Sequence, residues 1–175
     1  MYSIIQPGKT IREAEGEHCG GPGLTVFLAG TIEMGQGIPW HADAAARIYR
    51  SLKAKTGGMR RMPALTFFNP RRDGGFTPGM EEQQIRWEQK RLREADYLFM
   101  YLQPDTRSPV SLLEFGQFIS SGRLYVACSP RFYRWRNLRI TAEFDHMSDH
   151  VADSVDECIE RLTDAMAAAP AAEAS

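Results

Sequence analysis

The 175-residue sequence has few cysteines, almost no net charge and no long apolar run. Its three cysteines, Cys19, Cys128 and Cys158, form no C-x-x-C motif, which excludes a disulfide scaffold and a cysteine-rich zinc module. The net charge of −1 argues against a protein whose main work is binding nucleic-acid phosphates or an anionic membrane. No apolar stretch approaches the roughly 20 residues that cross a bilayer, and the first residues lack a signal-peptide pattern. These absences predict a cytoplasmic protein with reduced cysteines and no membrane partner.

The composition is that of an ordinary globular domain, with 43% hydrophobic and 25% charged residues. Residues 13–23 are rich in glycine and charge, and residues 167–175 are mostly alanine, so neither end carries a clear core pattern. We therefore expect a partly loose N-terminal segment over residues 1–23, a single folded domain over 24–166 and a flexible tail over 167–175.

Short apolar runs alternate with amphipathic stretches along the expected domain. The apolar runs predict five strands, the last of them weak: 24–30, 64–70, 97–102, 124–128 and 138–141. Apolar side chains at helical spacing predict helices over 41–56, 81–95, 112–121 and 151–166. Such alternation implies right-handed crossovers and a parallel sheet covered on both faces. The sequence predicts an α/β fold, a flavodoxin- or Rossmann-like three-layer sandwich with a five-stranded parallel sheet.

Polar residues and glycines follow the predicted strands, at the sheet edge where ligands bind in this fold class. Gly30 and Thr31 come directly after the first predicted strand, where glycine lets the backbone approach a ligand closely. Arg71 and Arg72 follow the second strand, and an arginine fork suits a phosphate or the edge of a base. The further candidates at this edge are Glu33, Asn69, Ser108, Ser111 and Asn137.

Glu114 is the unusual residue of the helix predicted over 112–121, since its neighbours in Leu112-Leu113-Glu114-Phe115-Gly116 are apolar or small. A carboxylate in such a place is partnered, open to a cleft, or raised in pKa. The competing interpretation is a carboxylate near a helix N-terminus that complements the helix dipole. Glu88 lies in the charged helix over 81–95, where a solvated i,i+4 partner is the competing interpretation.

Five short motifs occur in one order along the chain: Phe27-Leu28-Ala29-Gly30-Thr31-Ile32, Asn69-Pro70-Arg71-Arg72, Trp87-Glu88, Ala95-Asp96 and Ser111-Leu112-Leu113-Glu114-Phe115-Gly116. In this order they resemble the nucleoside 2-deoxyribosyltransferase family, and especially its deoxyribosyltransferase-like branch. No single motif is very specific, but the ordered set covers nearly the whole predicted core.

The resemblance implies that Glu114 attacks the anomeric carbon of a nucleoside and forms a glycosyl-enzyme intermediate. It places the family's second catalytic carboxylate at Glu88, where the classical enzymes have Asp, to assist the departing base. A second base or water then resolves the intermediate, which gives transfer or hydrolysis, and no cofactor or metal is required. It also implies a homo-oligomer, a dimer at least, in which Asn137 reaches the site of a neighbouring subunit.

Two positions bear on whether the substrate is a nucleoside or a nucleoside 5′-monophosphate. Ser108 stands six residues before Glu114, where related monophosphate hydrolases have a serine that helps to hold the phosphate. Glu33 stands where those hydrolases have a phosphate-binding arginine, and its charge would repel a phosphate. We expect a nucleoside, and the 5′-monophosphate remains the alternative because Arg71 or Arg72 offers a cation.

Three further interpretations of the chain stay open. The same pocket without turnover would make it a nucleotide-sensing module. His146 and His150 are spaced for two metal ligands on one helical face, without an evident third ligand. The segment Arg131-Phe132-Tyr133-Arg134-Trp135-Arg136 interleaves aromatic and basic side chains, as nucleic-acid surfaces do, although the near-zero net charge of the chain argues against this interpretation.

Several aromatic side chains are candidates for stacking on a base or for packing in the core: Trp40, Phe76, Trp87 and Tyr133.

Overall fold

A computed structural model describes residues 2–7, 23–32, 38–57, 62–72 and 79–169 of the chain. Over these ranges it contains six strands, which are β1 (Tyr2–Ile5), β2 (Leu24–Gly30), β3 (Leu65–Phe68), β4 (Tyr97–Leu102), β5 (Leu124–Cys128) and β6 (Val151–Ala152). The α-helices of the same ranges are α1 (His41–Lys55), α2 (Glu81–Glu94), α3 (Pro109–Phe118), α4 (Trp135–Phe144) and α5 (Val155–Ala168). Short 3-10 helices span Ile119–Ser121 and Ser148–His150.

The strands form one parallel sheet in the order β1-β3-β2-β4-β5-β6. The inner strands β2, β4 and β5 are almost entirely apolar. Helices cover both faces of the sheet, so neither face of these strands is exposed to solvent. The predicted α/β sandwich is confirmed, with six strands instead of five.

Helices cover both faces of the sheet and create two apolar cores. On one face α1 and α5 pack against side chains such as Leu28, Phe67 and Phe99. On the other face α2, α3 and α4 pack against side chains such as Phe27, Phe68 and Met100. The second face is the one that matters for the site, since α2 carries Glu88 and α3 carries Glu114.

The strand predicted over 138–141 is wrong, because these residues lie inside α4. The alternation in Leu138-Arg139-Ile140-Thr141 is only four residues long, and Ile140 is exposed. Over the whole of α4 the buried side chains are Leu138 and Ala142, which are spaced four apart and therefore define a helical stripe. The longer helical period overrides the short alternating pattern.

The helix predicted over 151–166 begins later than expected. Val151 and Ala152 form the short strand β6 and pair with Val126 and Ala127 of β5. The helix α5 starts at Val155, after Ser154 accepts a hydrogen bond from the Glu157 backbone N–H at 3.2 Å. This N-cap pattern, a serine followed three residues later by a glutamate, is a helix start signal that the apolar run at Val151 concealed.

The N-terminal strand β1 lies at the sheet edge beside β3, within the segment expected to be partly loose. Most of the linker expected over 13–23, and the end of the tail expected over 167–175, lie outside the described residues. In the part of the chain that the structure describes, no helix has the length and apolar character needed to span a bilayer.

Gly30 ends β2 with a backbone φ of +124°, and a Cβ at this position would overlap the backbone of Tyr101 in β4. Glycine is required here on both counts, since the φ is strained for other residues and the space is filled by backbone.

We expect Gly30→Ala to lower the free energy of unfolding by about 2 kcal/mol or more, because the strain and the overlap add. Urea unfolding followed by circular dichroism measures the change. The control is Gly116→Ala in α3, where an added Cβ meets no atom within 4 Å. We expect this substitution to be neutral or to stabilise the protein by up to about 1 kcal/mol. Equal effects of the two substitutions would contradict this account of Gly30.

Candidate functional site

The carboxyl ends of β2 and β4 form the crevice around which the candidate site is built. From β2 the chain passes through α1 to β3 on one side, and later returns through α2 to β4 on the other. Connections that leave a sheet in opposite directions open a gap at the strand ends, and ligands bind there in this class of fold. Thr31 follows β2 and donates its backbone N–H to the Tyr101 carbonyl at 3.0 Å. This bond joins the ends of β2 and β4 at the bottom of the crevice.

Three buried hydroxyl groups lie together at the floor of the crevice. The Thr31 Oγ1 is 2.7 Å from the Ser108 Oγ and 3.1 Å from the Thr106 Oγ1, and the last two atoms are 3.0 Å apart. The Gln103 backbone N–H donates to the Thr31 Oγ1 at 3.1 Å, which ties the cluster to the end of β4. Ser108 has a left-handed backbone with a φ of 44°, a strained conformation for serine that is often found at ligand sites.

Glu114 is buried on the inner face of α3, with only 6% of its surface exposed. Ser111, one turn earlier on the same helix, is buried as well. Burial raises the pKa of Glu114 to about 8, and the negative charge of Glu88 adds to the rise. The interaction between the two carboxylates shows that α2 and α3 bring them to the same part of the site.

Glu88 is half-buried on α2, and its pKa is also raised, chiefly by burial. Its carboxylate accepts a hydrogen bond from the Gln84 amide at 2.6 Å, and this bond and the charge of Arg72 oppose the rise. Two neighbouring carboxylates with raised pKa values are an arrangement that holds a proton at neutral pH, as acid–base chemistry requires.

The Gln84 side chain holds the Glu88 carboxylate and the Arg72 guanidinium in position. Its side-chain N–H bonds go to the Glu88 carboxylate at 2.6 Å and to the Pro70 carbonyl at 2.7 Å, and its oxygen accepts from the Arg72 Nε at 2.6 Å. All three partners require the same amide orientation. The sequence interpretation missed Gln84, although its i,i+4 spacing to Glu88 was an available signal.

The turn after β3 is shaped by Asn69 and supported by the N-terminal strand. The Asn69 Oδ1 accepts from the Arg71 backbone N–H at 3.0 Å, and the Asn69 backbone N–H donates to the Ile5 carbonyl at 2.9 Å. The Gln6 side chain donates to the Arg71 carbonyl at 3.0 Å. In these contacts Asn69 supports the turn, and the turn presents Arg71 and Arg72 at the sheet edge.

Buried donor atoms without partners point to where a ligand would bind. Within the described part of the chain, no hydrogen bond reaches the Arg72 Nη2, the Trp87 Nε1, either ring nitrogen of His41 or the Arg91 Nε, and Arg91 instead pairs through its Nη1 with Glu94. Trp87 packs its ring against Phe27 and Phe68 beside Glu88. Buried polar atoms of proteins are nearly always hydrogen-bonded, so atoms that lack a partner within the protein are candidates to bind a ligand. His41 was not among the residues selected from the sequence.

Some residues predicted for the site lie elsewhere in the structure or outside the described residues. Asn137, which directly precedes the residues 138–141 that were predicted as a strand, is an exposed residue of α4. Glu33 lies outside the described residues, as does Phe76. The ring of Trp40 is buried in the core under α1, while Tyr133 is half-exposed and its hydroxyl donates to the Arg107 carbonyl.

His150 and Arg131, on which the metal and nucleic-acid interpretations drew, both bond to residues of the chain itself. His150 bonds through its Nδ1 to the Leu124 carbonyl at 2.9 Å, and its ring stacks on Tyr125. Over the described ranges no three His, Cys, Asp or Glu side chains are grouped for a metal ion. Arg131, in the basic aromatic segment, forms an ion pair with Asp105 at 3.3 Å.

Comparison with known proteins matches residues 23–132 of the chain to the family described as "Nucleoside 2-deoxyribosyltransferase like". The match runs from β2 past β5 and includes both Glu88 and Glu114. The chain belongs to the nucleoside 2-deoxyribosyltransferase-like family. The resemblance predicted from the ordered motifs is confirmed, and the family indicates nucleoside deoxyribosyltransferase-like activity.

A solved structure adds evidence on the fold of this family member. The "conserved protein from Enterococcus faecalis V583" is similar over 82% of this chain and 99% of its own, with 9% sequence identity and a TM-score of 0.52. At this identity the likeness shows the fold alone. Comparison with curated protein sequences found no match.

We expect Glu114→Gln to stabilise the protein by a few kcal/mol at pH 8 and above, and by little at pH 4. The raised pKa means that the folded protein holds a proton between an ordinary value of 4.5 and about 8, which the unfolded chain has already released. Wild-type stability therefore falls as the pH rises through this range, by about 1.4 kcal/mol for each unit of pKa shift, and the glutamine removes the fall.

Urea unfolding of both proteins between pH 4 and 9 measures this difference. Groups that do not interact with Glu114 cancel in the subtraction, and the difference reports Glu114 together with its coupled neighbour Glu88. A stability difference that does not change with pH would show that Glu114 is not a carboxyl group of raised pKa.

Proposed function

We propose that this protein cleaves the N-glycosidic bond of a nucleoside and transfers the sugar to a second base or to water. The observation that carries the proposal is the pair of carboxylates, a buried Glu114 on α3 and Glu88 on α2, on two helices that cover the same face of the sheet. The charge of Glu88 contributes to the raised pKa of Glu114. Retaining cleavage of a glycosidic bond needs one carboxylate as the nucleophile and a second group to protonate the leaving group. The raised pKa of Glu88 suits the proton donor. Glu114, whose pKa of about 8 favours the protonated form at neutral pH, becomes the nucleophile once its proton has passed to Glu88.

In the first step an ionised Glu114 oxygen attacks the anomeric carbon of the sugar. The new carbon–oxygen bond forms as the carbon–nitrogen bond breaks, and the electron pair of the broken bond stays on the base. Glu88, in its protonated form, gives its proton to the departing base. The products of this step are a glycosyl ester of Glu114, an ionised Glu88 and the free base.

In the second step a nitrogen of another base, or the oxygen of water, attacks the same carbon. Glu88 takes the proton of the attacking group, and the Glu114 carboxylate leaves. Both carboxyl groups return to their first state, so the cycle needs no external oxidant or reductant. Gln84 and Arg72 keep Glu88 in place throughout.

The contacts around the carboxylates suggest how the substrate lies. The hydroxyl cluster of Thr31, Thr106 and Ser108 stands at the start of α3, where it offers hydrogen bonds to the sugar. The Arg72 Nη2 and the Trp87 Nε1 stand on the side of Glu88. There they suit the departing base, whose nitrogen gains electron density as the bond breaks.

A nucleoside 5′-monophosphate is the second candidate substrate, and Arg72 is the observation that favours it. Its guanidinium keeps a buried Nη2 without a partner among the described residues, and arginine is always charged. Glu33 argues in the opposite direction on sequence grounds. A nucleotide-sensing module without turnover is the third interpretation, and the same experiment distinguishes the three.

Association into a homo-oligomer, with Asn137 shared between subunits, stays a prediction. Its support is the exposure of apolar side chains on α3 and α4, including Leu113 at 62% and Phe144 at 81%. Large exposed apolar side chains favour contact with another protein where they lie together on the surface.

The test of the proposed function is incubation of the protein with nucleosides and their 5′-monophosphates, with and without a free acceptor base, followed by chromatography. We expect base release from the nucleosides at a rate that Glu114→Gln abolishes, because the glutamine cannot form the glycosyl ester. Glu88→Gln should slow poor leaving bases more than good ones. The control is Glu143→Gln, which changes an exposed carboxylate of α4 and should have no effect.

Normal turnover by Glu114→Gln would refute the nucleophile. A preference of more than about tenfold in kcat/KM for the monophosphate, which is about 1.4 kcal/mol of transition-state binding, would move the proposal to the nucleotide hydrolases. Binding of a nucleoside without any turnover would favour the sensing module.

A further inference from the structure

The imidazole of His41 is a buried polar group that the fold itself does not explain. His41 is the first residue of α1 and is only 3% exposed. Over the ranges that the structure describes, neither of its ring nitrogens has a hydrogen-bond partner. A leucine or phenylalanine would fill the same space without burying two polar atoms, so packing alone gives no reason for histidine.

The ring of His41 is held in one orientation by the residue before it. It stacks on the Trp40 indole, with ring centroids 3.9 Å apart and an angle of 22° between the planes. The Trp40 Nε1–H donates to the Thr31 carbonyl at 3.0 Å, directly after β2. A ligand group that meets His41 would therefore meet a fixed ring with little left to order on binding.

His41 lies near the end of β2, because the Trp40 ring that stacks on it bonds to the Thr31 carbonyl. Burial lowers the pKa of His41 to about 3, and the positive charge of Arg71 in the turn after β3 adds to the fall. The next residue, Arg72, bonds to Gln84, which in turn bonds to Glu88. The 69–72 turn is thus shared by both sides of the crevice, with Arg71 acting on His41 and Arg72 connected through Gln84 to Glu88.

The chemistry of the ring narrows the class of group that it would bind. A neutral imidazole has one N–H donor and one nitrogen acceptor. An anion such as a phosphate would find only one donor and would face the acceptor lone pair, while a metal cation would be repelled by Arg71. Nucleobase edges carry both donors and acceptors, so one nitrogen of a neutral imidazole can pair with a base edge either as the donor or as the acceptor.

We propose that His41 is a specificity-determining residue that hydrogen-bonds the nucleobase of the substrate. This inference rests on the proposed function, since it assigns a role within the same site. His41 does not take part in breaking the glycosidic bond. Its contribution is a preference among bases, and it therefore moves base selectivity and leaves the intrinsic chemistry unchanged.

The test compares the wild-type protein with His41→Phe, which keeps the ring stacking and removes both nitrogens, and with His41→Gln, which keeps one donor and one acceptor. Turnover is measured with a panel of nucleosides and with a nitrophenyl 2-deoxyriboside, whose leaving group has no base edge. Binding of the same nucleosides and of free bases is measured by calorimetry.

We expect His41→Phe to lower kcat/KM for the preferred nucleoside by about tenfold, the size of one hydrogen bond, and to lower it much less for the nitrophenyl glycoside, whose leaving group has no base edge. His41→Gln should restore part of the preference. If the phenylalanine variant does not fold, His41→Leu takes its place.

An unchanged base preference in a folded His41→Phe protein, with nucleoside turnover intact, would overturn the role of His41 and leave the proposed function standing. Another outcome is that the wild type binds bases but turns over no glycoside, and that His41→Phe weakens this binding. This result would support the role of His41 and overturn the proposed function. Failure of the wild type to bind any nucleoside or base would overturn both.

Discussion

Burying Glu114 beside Glu88 is the constraint on which the rest of the site depends. A carboxylate with 6% exposure and a like-charged neighbour is costly to ionise, and the pKa of about 8 expresses that cost. A helix of otherwise apolar and small residues would be more stable with a neutral side chain in its place. Proteins accept such local instability where a strained or desolvated group serves binding or catalysis.

Some of the residues around the two carboxylates shape the site, and others have buried polar atoms that a ligand could bind. Asn69 shapes the turn, Gln84 orients Glu88 and Arg72, and Gly30 allows β2 and β4 to approach at the crevice. The Arg72 Nη2, the Trp87 Nε1 and the His41 ring have buried atoms that no partner satisfies among the described residues. The second group therefore marks the positions where a ligand would complete the hydrogen bonding.

The sequence was informative where a pattern was local and long. The apolar run over 97–102 predicted β4 with its bounds, and the isolated charge of Glu114 in an apolar helix identified the most perturbed carboxylate. The four-residue alternation over 138–141 was misleading, because a short pattern fits either a strand or a helix and α4 extends beyond it on both sides. A two-residue strand such as β6 has no pattern at all and exists because β5 offers it a partner.

The roles of Gln84 and His41 were beyond the reach of sequence patterns for a different reason. The Gln84 amide links three groups from two separate parts of the chain, and only the packing of α2 against the turn after β3 brings them together. A buried histidine and an exposed one look the same in a sequence, and it is the missing partners that set His41 apart. Tertiary contacts decide such cases.

The central claim is that Glu114 carries the sugar between the two steps, and trapping that ester tests it most directly. The protein is mixed with a nucleoside that it turns over, quenched in acid within the first turnover, and digested for peptide mass spectrometry. The account predicts a pentosyl group on the peptide that contains Glu114, absent from Glu114→Gln and lost on addition of a free base before the quench. A pentosyl group on any other residue, or base release in a burst without a modified peptide, would contradict it.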